Sequence, residues 1–152
     1  MHKIKIFVPG NHCEPFYWNL TTAMAGLSLT IDGYIEVFGA PWLEGMLPLN
    51  PNQSQAFFMS EAPLKRNWEK RPAVLEILVS HQSHMAAVMT EGDSFIDLYI
   101  FRSCPRLVVC DHRHWASVRY EMENQFGEAS IIVKAACSDR NHQALTKIVV
   151  DF

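Results

Sequence analysis

Residues 73–101, AVLEILVSHQSHMAAVMTEGDSFIDLYIF, decide the fold that the sequence predicts. The stretch holds three apolar or β-branched runs separated by short polar turns, a pattern typical of strands that follow one another in an antiparallel meander. The three runs are 73–80, 85–90 and 94–101. Glu91-Gly92-Asp93 has the composition of a hairpin turn between the last two runs. The middle of the chain is therefore predicted to be β-sheet.

The flanking sequence adds further strands and two helices. Strands are predicted at 3–8, 31–38, 129–137 and 145–151, the last two forming a hairpin around 138–142, and 107–110 has strand composition. One helix is predicted over 14–26, and a second over 112–126, with Asp111 as its N-cap and Gly127 at its end. This order predicts the α+β class, as a largely antiparallel sheet with two helices packed on one face.

Residues 39–71 have no sustained hydrophobic period. Prolines interrupt the segment or lie at its edge, at positions 41, 48, 51, 63 and 72. It is predicted to be a long irregular excursion, with a short strand at 55–59. A structureless stretch of this length in a compact domain is either functional or contains an element that the pattern does not reveal.

Length and composition restrict the class of protein. With 152 residues and 49% hydrophobic content, residues 1–152 are expected to form a single domain around one core. The formal net charge of −3 leaves no basic surplus for phosphates, which argues against nucleic acid as a partner. Charged residues interrupt the apolar runs well short of about 18 residues, so no membrane span is predicted. The start of the chain does not resemble a secretory signal, and a cytoplasmic location is expected.

Cysteine and histidine spacing argues against a metal site. The four cysteines show no CxxC pair and are expected to be reduced thiols, mostly buried as small apolar side chains. His81 and His84 lie three residues apart in a predicted strand or bend, where the two imidazoles would not converge as they do on a helix. No metal ligand is therefore assigned.

Two carboxylates interrupt otherwise apolar runs. Glu76 lies within 73–80 and Asp97 within 94–101. A buried carboxylate without a partner is costly, which makes both residues candidates for substrate binding. The alternative is that each side chain lies on the solvent side of a half-buried sheet.

The predicted order of elements, with Gln82-Ser83-His84-Met85 and the downstream Asp97-Leu98-Tyr99, resembles the small bacterial S-adenosylmethionine decarboxylases over about 72–137. Those enzymes are pyruvoyl-dependent lyases with a sheet covered on one face by helices. The resemblance implies a sandwich of that type and a ligand that carries adenosine and an amine. It also implies that the Ser83 hydroxyl attacks the Gln82 carbonyl and that Ser83 becomes the pyruvoyl group.

The residues for the remaining catalytic roles depart from the pattern of that family. Val88 stands where the family pattern has a second histidine, and Phe101 stands where it has a cysteine that donates a proton. Either His81 and His84 act as proton carriers and Cys104, the nearest thiol, as the acid, or the chain keeps the fold without self-processing.

A second hypothesis needs no catalysis. The chain would then be a protein-binding module, such as an inhibitor, an immunity protein or a phage-encoded partner-binding protein, with the apolar, proline-rich 39–71 segment as its contact surface. An uncovered sheet face would make a homo-oligomer natural under either hypothesis.

Overall fold

The computed structural model describes residues 6–8, 22–23, 26–44, 58–82, 94–111, 118–124 and 126–135. In chain order its elements are β1 (Ile6–Phe7), β2 (Thr22–Ala23), β3 (Leu27–Ile31), β4 (Ile35–Ala40), β5 (Leu43–Glu44), β6 (Phe58–Met59), α1 (Glu61–Trp68), β7 (Ile77–Ser80), α2 (Ser94–Ser103), β8 (Leu107–Cys110), β9 (Val118–Glu123) and β10 (Ala129–Lys134). Among these residues no helix is long and apolar enough to cross a membrane.

A mixed sheet of six strands, in the order β3-β4-β7-β8-β10-β9, organises the fold. The four central strands β4, β7, β8 and β10 are parallel, and β3 and β9 pair antiparallel at the two ends. The α+β class is confirmed. The predicted largely antiparallel sheet is wrong, because α2 separates β7 from β8 in sequence and returns the chain to the same edge, so that neighbouring strands run in the same direction.

Both helices pack on the same face of this sheet. Phe38, Leu78, Val108 and Ile132 are paired across the four parallel strands, and each is at most 1% exposed. Leu64 and Trp68 from α1 and Ile100 from α2 belong to the same buried cluster. A connection between adjacent parallel strands is almost always right-handed, and two such connections that advance in the same direction along the sheet place their helices on one side.

Trp68 lies at the centre of the aromatic part of the core. Its ring is stacked on Tyr99 at 5.2 Å and meets the ring of Trp42 edge-on at 5.9 Å, with Phe38 at 6.3 Å. The Arg71 guanidinium lies 5.1 Å from the centre of the Tyr99 ring, within the range of a cation–π contact. One large side chain therefore joins α1, α2 and β4.

Two segments adopt the opposite secondary structure from the predicted one. The predicted strand at 94–101 is helix α2, and the predicted helix at 112–126 contains strand β9. An apolar run of eight residues does not distinguish a buried helix from a strand by its pattern alone. In β9 the half-buried Val118, Tyr120 and Met122 alternate with exposed charged residues, and this period of two, combined with pairing to β10, prevails over the helical spacing.

The predicted helix at 14–26 is also wrong where it can be compared, because Thr22–Ala23 is a strand. The predicted strand at 31–38 is interrupted by a hairpin turn at Asp32-Gly33. Both residues have positive φ, 52° and 80°, as a type I′ turn requires, and Asp-Gly is a preferred pair for that turn.

The 39–71 segment is not a structureless excursion. It contains α1, which begins after Ser60 and holds Pro63 in its first turn. Proline is tolerated there because the first N–H groups of a helix have no intrahelical partner. The predicted short strand at 55–59 is represented by β6, Phe58–Met59.

The remaining predicted strands are described in part. The strand at 73–80 is reduced to β7, and the strand at 129–137 is β10, which pairs with β9 and β8. Of the predicted strand at 3–8, Ile6–Phe7 is present as β1. The strands predicted at 85–90 and 145–151 lie outside the described residues.

Candidate functional site

A row of polar side chains lies where the parallel strands end. Ser80, Cys110 and Lys134 are the last residues of β7, β8 and β10, and they are paired across these adjacent strands. Each lies two residues beyond the buried row of Leu78, Val108 and Ile132, so all three share the face that the helices cover. Their exposed fractions are 4%, 1% and 2%.

The burial of Lys134 makes this row unusual. Lysine is almost never fully buried unless it is paired, whereas the adjacent Cys110 is of a type that is commonly buried. Neighbouring strands are about 4.8 Å apart, so a hydroxyl, a thiol and an amine follow one another along the sheet edge. This row lies at the carboxyl ends of the strands, the edge at which doubly wound α/β sheets bind ligands where the strand order reverses.

An imidazole and a carboxylate follow the same strand ends. The His81 N–H donates to the Ala40 carbonyl at 2.9 Å, and the Ala135 N–H donates to the Cys110 carbonyl at 2.9 Å, so the ladder continues one residue past the strands. His81 and Asp111 directly follow β7 and β8, and both are half-buried. Successive residues of a strand alternate between faces, which places these two on the face opposite Ser80 and Cys110.

The chain leaves β7 through a turn held by Ser80. The Ser80 Oγ donates a hydrogen bond to the Gln82 carbonyl oxygen at 3.0 Å. Gln82 is the residue before Ser83 in the sequence. The carbonyl that the sequence resemblance singles out for attack therefore already has a hydroxyl donor.

The sequence-derived candidates fall at different places in the fold. His81 lies at the carboxyl edge, directly after β7. Ser83 and His84 lie outside the described residues. Asp97 belongs to α2 and not to a strand, so the reasoning that placed it in the middle of a β-run does not apply.

Glu76 and Cys104 lie at the opposite edge of the sheet. Glu76 precedes β7, and its carbonyl accepts a hydrogen bond from the Leu107 N–H at 3.1 Å. Cys104 follows α2 with a positive φ of 42°, and its Sγ lies 3.6 Å from the Ser130 Oγ near the start of β10. The four residues of β7 span about 13 Å, so the structure does not bring Glu76 or Cys104 together with His81.

Sequence reasoning misses Ser80, Lys134 and the positions of Cys110 and Asp111 at this edge. It interprets Asp111 as a helix cap and Cys110 as a structural thiol. The sequence feature that points to these residues is an apolar run that ends in a polar residue, as in ILVS and IIVK. In an antiparallel sheet such ends alternate between edges, and only a parallel arrangement brings them together.

No group of three or more histidine, cysteine, aspartate or glutamate residues that could hold a metal ion occurs within the part of the chain that the structure describes. The described residues at the carboxyl edge supply a hydroxyl, a thiol, an amine, an imidazole and a carboxylate.

The electrostatics of the helical layer centre on Tyr99. Burial raises the pKa of the Tyr99 phenol above its ordinary value of 10.0, and the Glu69 carboxylate adds to the rise, while Arg71 and Arg102 lower it. Because the phenol remains neutral in the folded protein to a higher pH than in the unfolded chain, the folded state holds this proton more tightly.

The raised Tyr99 pKa predicts a loss of stability in alkaline solution. The contribution is fully present below the unfolded pKa, near 10.0, and is lost as pH rises through the higher folded value. The Tyr99→Phe variant lacks this group, so its free energy of unfolding should fall less than that of wild type between about pH 9 and 11. Urea denaturation across this range measures the difference, and parallel pH profiles would contradict the expected burial effect.

Comparisons with known proteins place the fold but not the activity. No protein-family model matches the chain, and no curated protein matches it significantly. Among solved structures, the chain is similar to TT1561 of Thermus thermophilus, with a TM-score of 0.52 and 17% identity. The match covers 88% of this chain and 62% of TT1561, so the chain spans less than two thirds of that protein's length. At this identity the similarity shows the fold alone.

Proposed function

We propose that this chain binds S-adenosylmethionine, or a related small acid that carries an amine, at the carboxyl edge of β7, β8 and β10. The observation that carries the proposal is the buried row of Ser80, Cys110 and Lys134 at the ends of three adjacent parallel strands. The choice of ligand comes from the sequence resemblance around Ser83.

The charges at this edge suit the amino-acid part of such a ligand. Lys134 ends β10 on the face that the helices cover and supplies an ammonium group, while Asp111 follows the adjacent β8 on the other face and supplies a carboxylate. A ligand that lies across the ends of the strands would reach both groups. A ligand with both a carboxylate and an amine offers each of them a partner of opposite charge, and charge-assisted hydrogen bonds are about twice as strong as neutral ones. Ser80 and His81 add hydrogen-bonding groups from β7 and its end.

Titration calorimetry with three related ligands tests this proposal. S-adenosylmethionine and S-adenosylhomocysteine both contain the amino-acid part and should bind, whereas 5′-methylthioadenosine lacks it and should bind far more weakly. Equal binding of all three would show that the charged groups do not recognise the ligand. Absence of heat with every ligand would contradict the proposal as a whole.

Self-processing at the Gln82–Ser83 bond is a second candidate function, favoured by the Ser80 hydrogen bond to the Gln82 carbonyl. Attack of a hydroxyl on a carbonyl places negative charge on the carbonyl oxygen, and a preorganised donor stabilises that charge. In the resembling enzymes this attack leads to a pyruvoyl group, which supplies the electron sink for decarboxylation. In this chain Ser80 would act as the donor, and Ser83 as the attacking residue.

Intact-mass measurement tests self-processing directly. We expect fragments 1–82 and 83–152 in the purified protein, and a single intact chain in the Ser83→Ala variant. Ser80→Ala should slow cleavage by about 100-fold, the usual cost of losing one oxyanion donor. Ser103→Ala, which removes a serine that donates to the Tyr99 carbonyl at 2.7 Å, away from the carboxyl edge, serves as the control. A single uncleaved mass for the wild-type chain would rule out self-processing.

The protein-binding hypothesis receives less support from the 39–71 segment. Its described residues include Ala40, Trp42, Leu64 and Trp68, which are between 0% and 5% exposed. These side chains form part of the core and are not available to a partner.

A further inference from the structure

We propose that two copies of this chain pair through their β3 strands, antiparallel about a two-fold axis at Leu29, to form a dimer with one continuous sheet. The inference is independent of the ligand site at the carboxyl edge. It rests on the position, the composition and the exposure of β3.

The two end strands of the described sheet differ in how well they are protected against pairing with another chain. β9 carries Arg119, Glu121 and Glu123, all exposed. Charged side chains on an end strand oppose pairing with another chain. β3 has the sequence LSLTI, without a charged residue or proline. Of the two ends, β3 is the one that its composition leaves able to accept another strand.

The side chains of β3 are accessible along the strand. Leu27 is 58% exposed, and Ser28 and Thr30 are exposed as well, while Leu29 and Ile31 are half-buried. Burial of these side chains in a dimer would therefore remove apolar surface from water. The strand has five residues, a length within the usual range for a strand in a sheet.

The sequence of β3 is self-complementary, and the register centred on Leu29 is the one that pairs all five of its residues. With Leu29 opposite Leu29 of the second copy, Leu27 lies opposite Ile31, and Ser28 lies opposite Thr30. Directly opposed residues share a face and interact, so apolar side chains meet on one face and hydroxyls meet on the other. A shift by one residue would place Leu29 opposite Ser28 and lose both matches.

Pairing through β3 ends at two copies. A two-fold axis uses the same strand from both copies, so no second β3 edge remains for further addition. The two β9 strands, with their charged residues, would form the outer ends of the joined sheet. The expected product is a dimer and not a filament.

Sedimentation equilibrium of the full-length chain measures the assembly. We expect wild type to sediment as a dimer. The double variant Ser28→Lys with Thr30→Lys places lysines opposite lysines at exposed positions, and like charges across an interface oppose association strongly. Its dimer dissociation constant should therefore rise by at least about 100-fold.

A charge-reversed partner separates loss of pairing from loss of folding. Ser28→Glu with Thr30→Glu should also be monomeric alone, and a mixture of the lysine and glutamate variants should restore a dimer. The control carries the same two added charges elsewhere, as Tyr34→Lys with Val74→Lys, at side chains that are 71% and 70% exposed. A monomeric wild type, or lysine and glutamate variants that remain dimeric when separate, would overturn the proposal.

Discussion

Replacing Trp68 by alanine lowers the free energy of unfolding by about 3–5 kcal/mol, the usual cost of removing a large buried aromatic side chain. Trp68 is 1% exposed and contacts rings from β4 and α2 as well as Trp42. The substitution removes the side chain that joins both helices to the sheet, and the large cavity left behind is expected to close only in part.

Urea denaturation at neutral pH measures this effect, with Val74→Ala as the control. Val74 is 70% exposed, so its truncation should change the free energy of unfolding by no more than about 0.5 kcal/mol. A Trp68→Ala variant as stable as the control would mean that α1 does not pack on the sheet through this side chain.

The second large effect concerns ligand binding. Lys134→Met should weaken S-adenosylmethionine binding by about 10- to 100-fold, since a hydrogen bond between charged groups contributes about 1.5–3 kcal/mol and each ~1.4 kcal/mol is a factor of ten. Methionine keeps an unbranched side chain of similar length in a position that is 2% exposed.

Lys70→Met is the matched control, because it makes the same substitution on the surface. The Lys70 ammonium donates an exposed hydrogen bond to the Asn67 Oδ1 at 2.7 Å, within the helical layer and not at the carboxyl edge. Calorimetry of both variants should show loss of affinity for Lys134→Met alone. An unchanged dissociation constant in a folded Lys134→Met protein would exclude Lys134 from the site.

The misinterpreted segment at 94–101 explains one of the three parallel strand pairs of the six-stranded sheet, β7 with β8. The strands at 77–80 and 129–134 are recognisable from their β-branched runs. The run at 94–101, however, is equally compatible with a strand and with a buried helix. Once it is a helix, the connection from β7 to β8 becomes a crossover and the two strands run parallel. The β4–β7 pair follows in the same way from α1, and the β8–β10 pair follows from β9, a strand where the sequence predicted a helix.

The candidate site depends on the same parallel arrangement of strands. His81 can be selected from the sequence because it adjoins the Ser-His pair. Ser80 and Lys134 are more than fifty residues apart in the chain and carry no motif. They lie in one row, on either side of Cys110, because β7, β8 and β10 are parallel and in register, which is a property of the sheet and not of either local sequence. The pyruvoyl group, the cytoplasmic location and the single domain stay predictions.

Hydrogen–deuterium exchange with and without S-adenosylmethionine tests the central claim most directly, because it locates the ligand. Binding at the carboxyl edge should slow exchange in the peptides that end the parallel strands, at 78–82, 108–111 and 132–135. Peptides at the opposite edge, at 73–77 and 103–106, should be unchanged. Protection confined to the opposite edge, or no protection at a saturating ligand concentration, would contradict a binding site built from Ser80, Cys110 and Lys134.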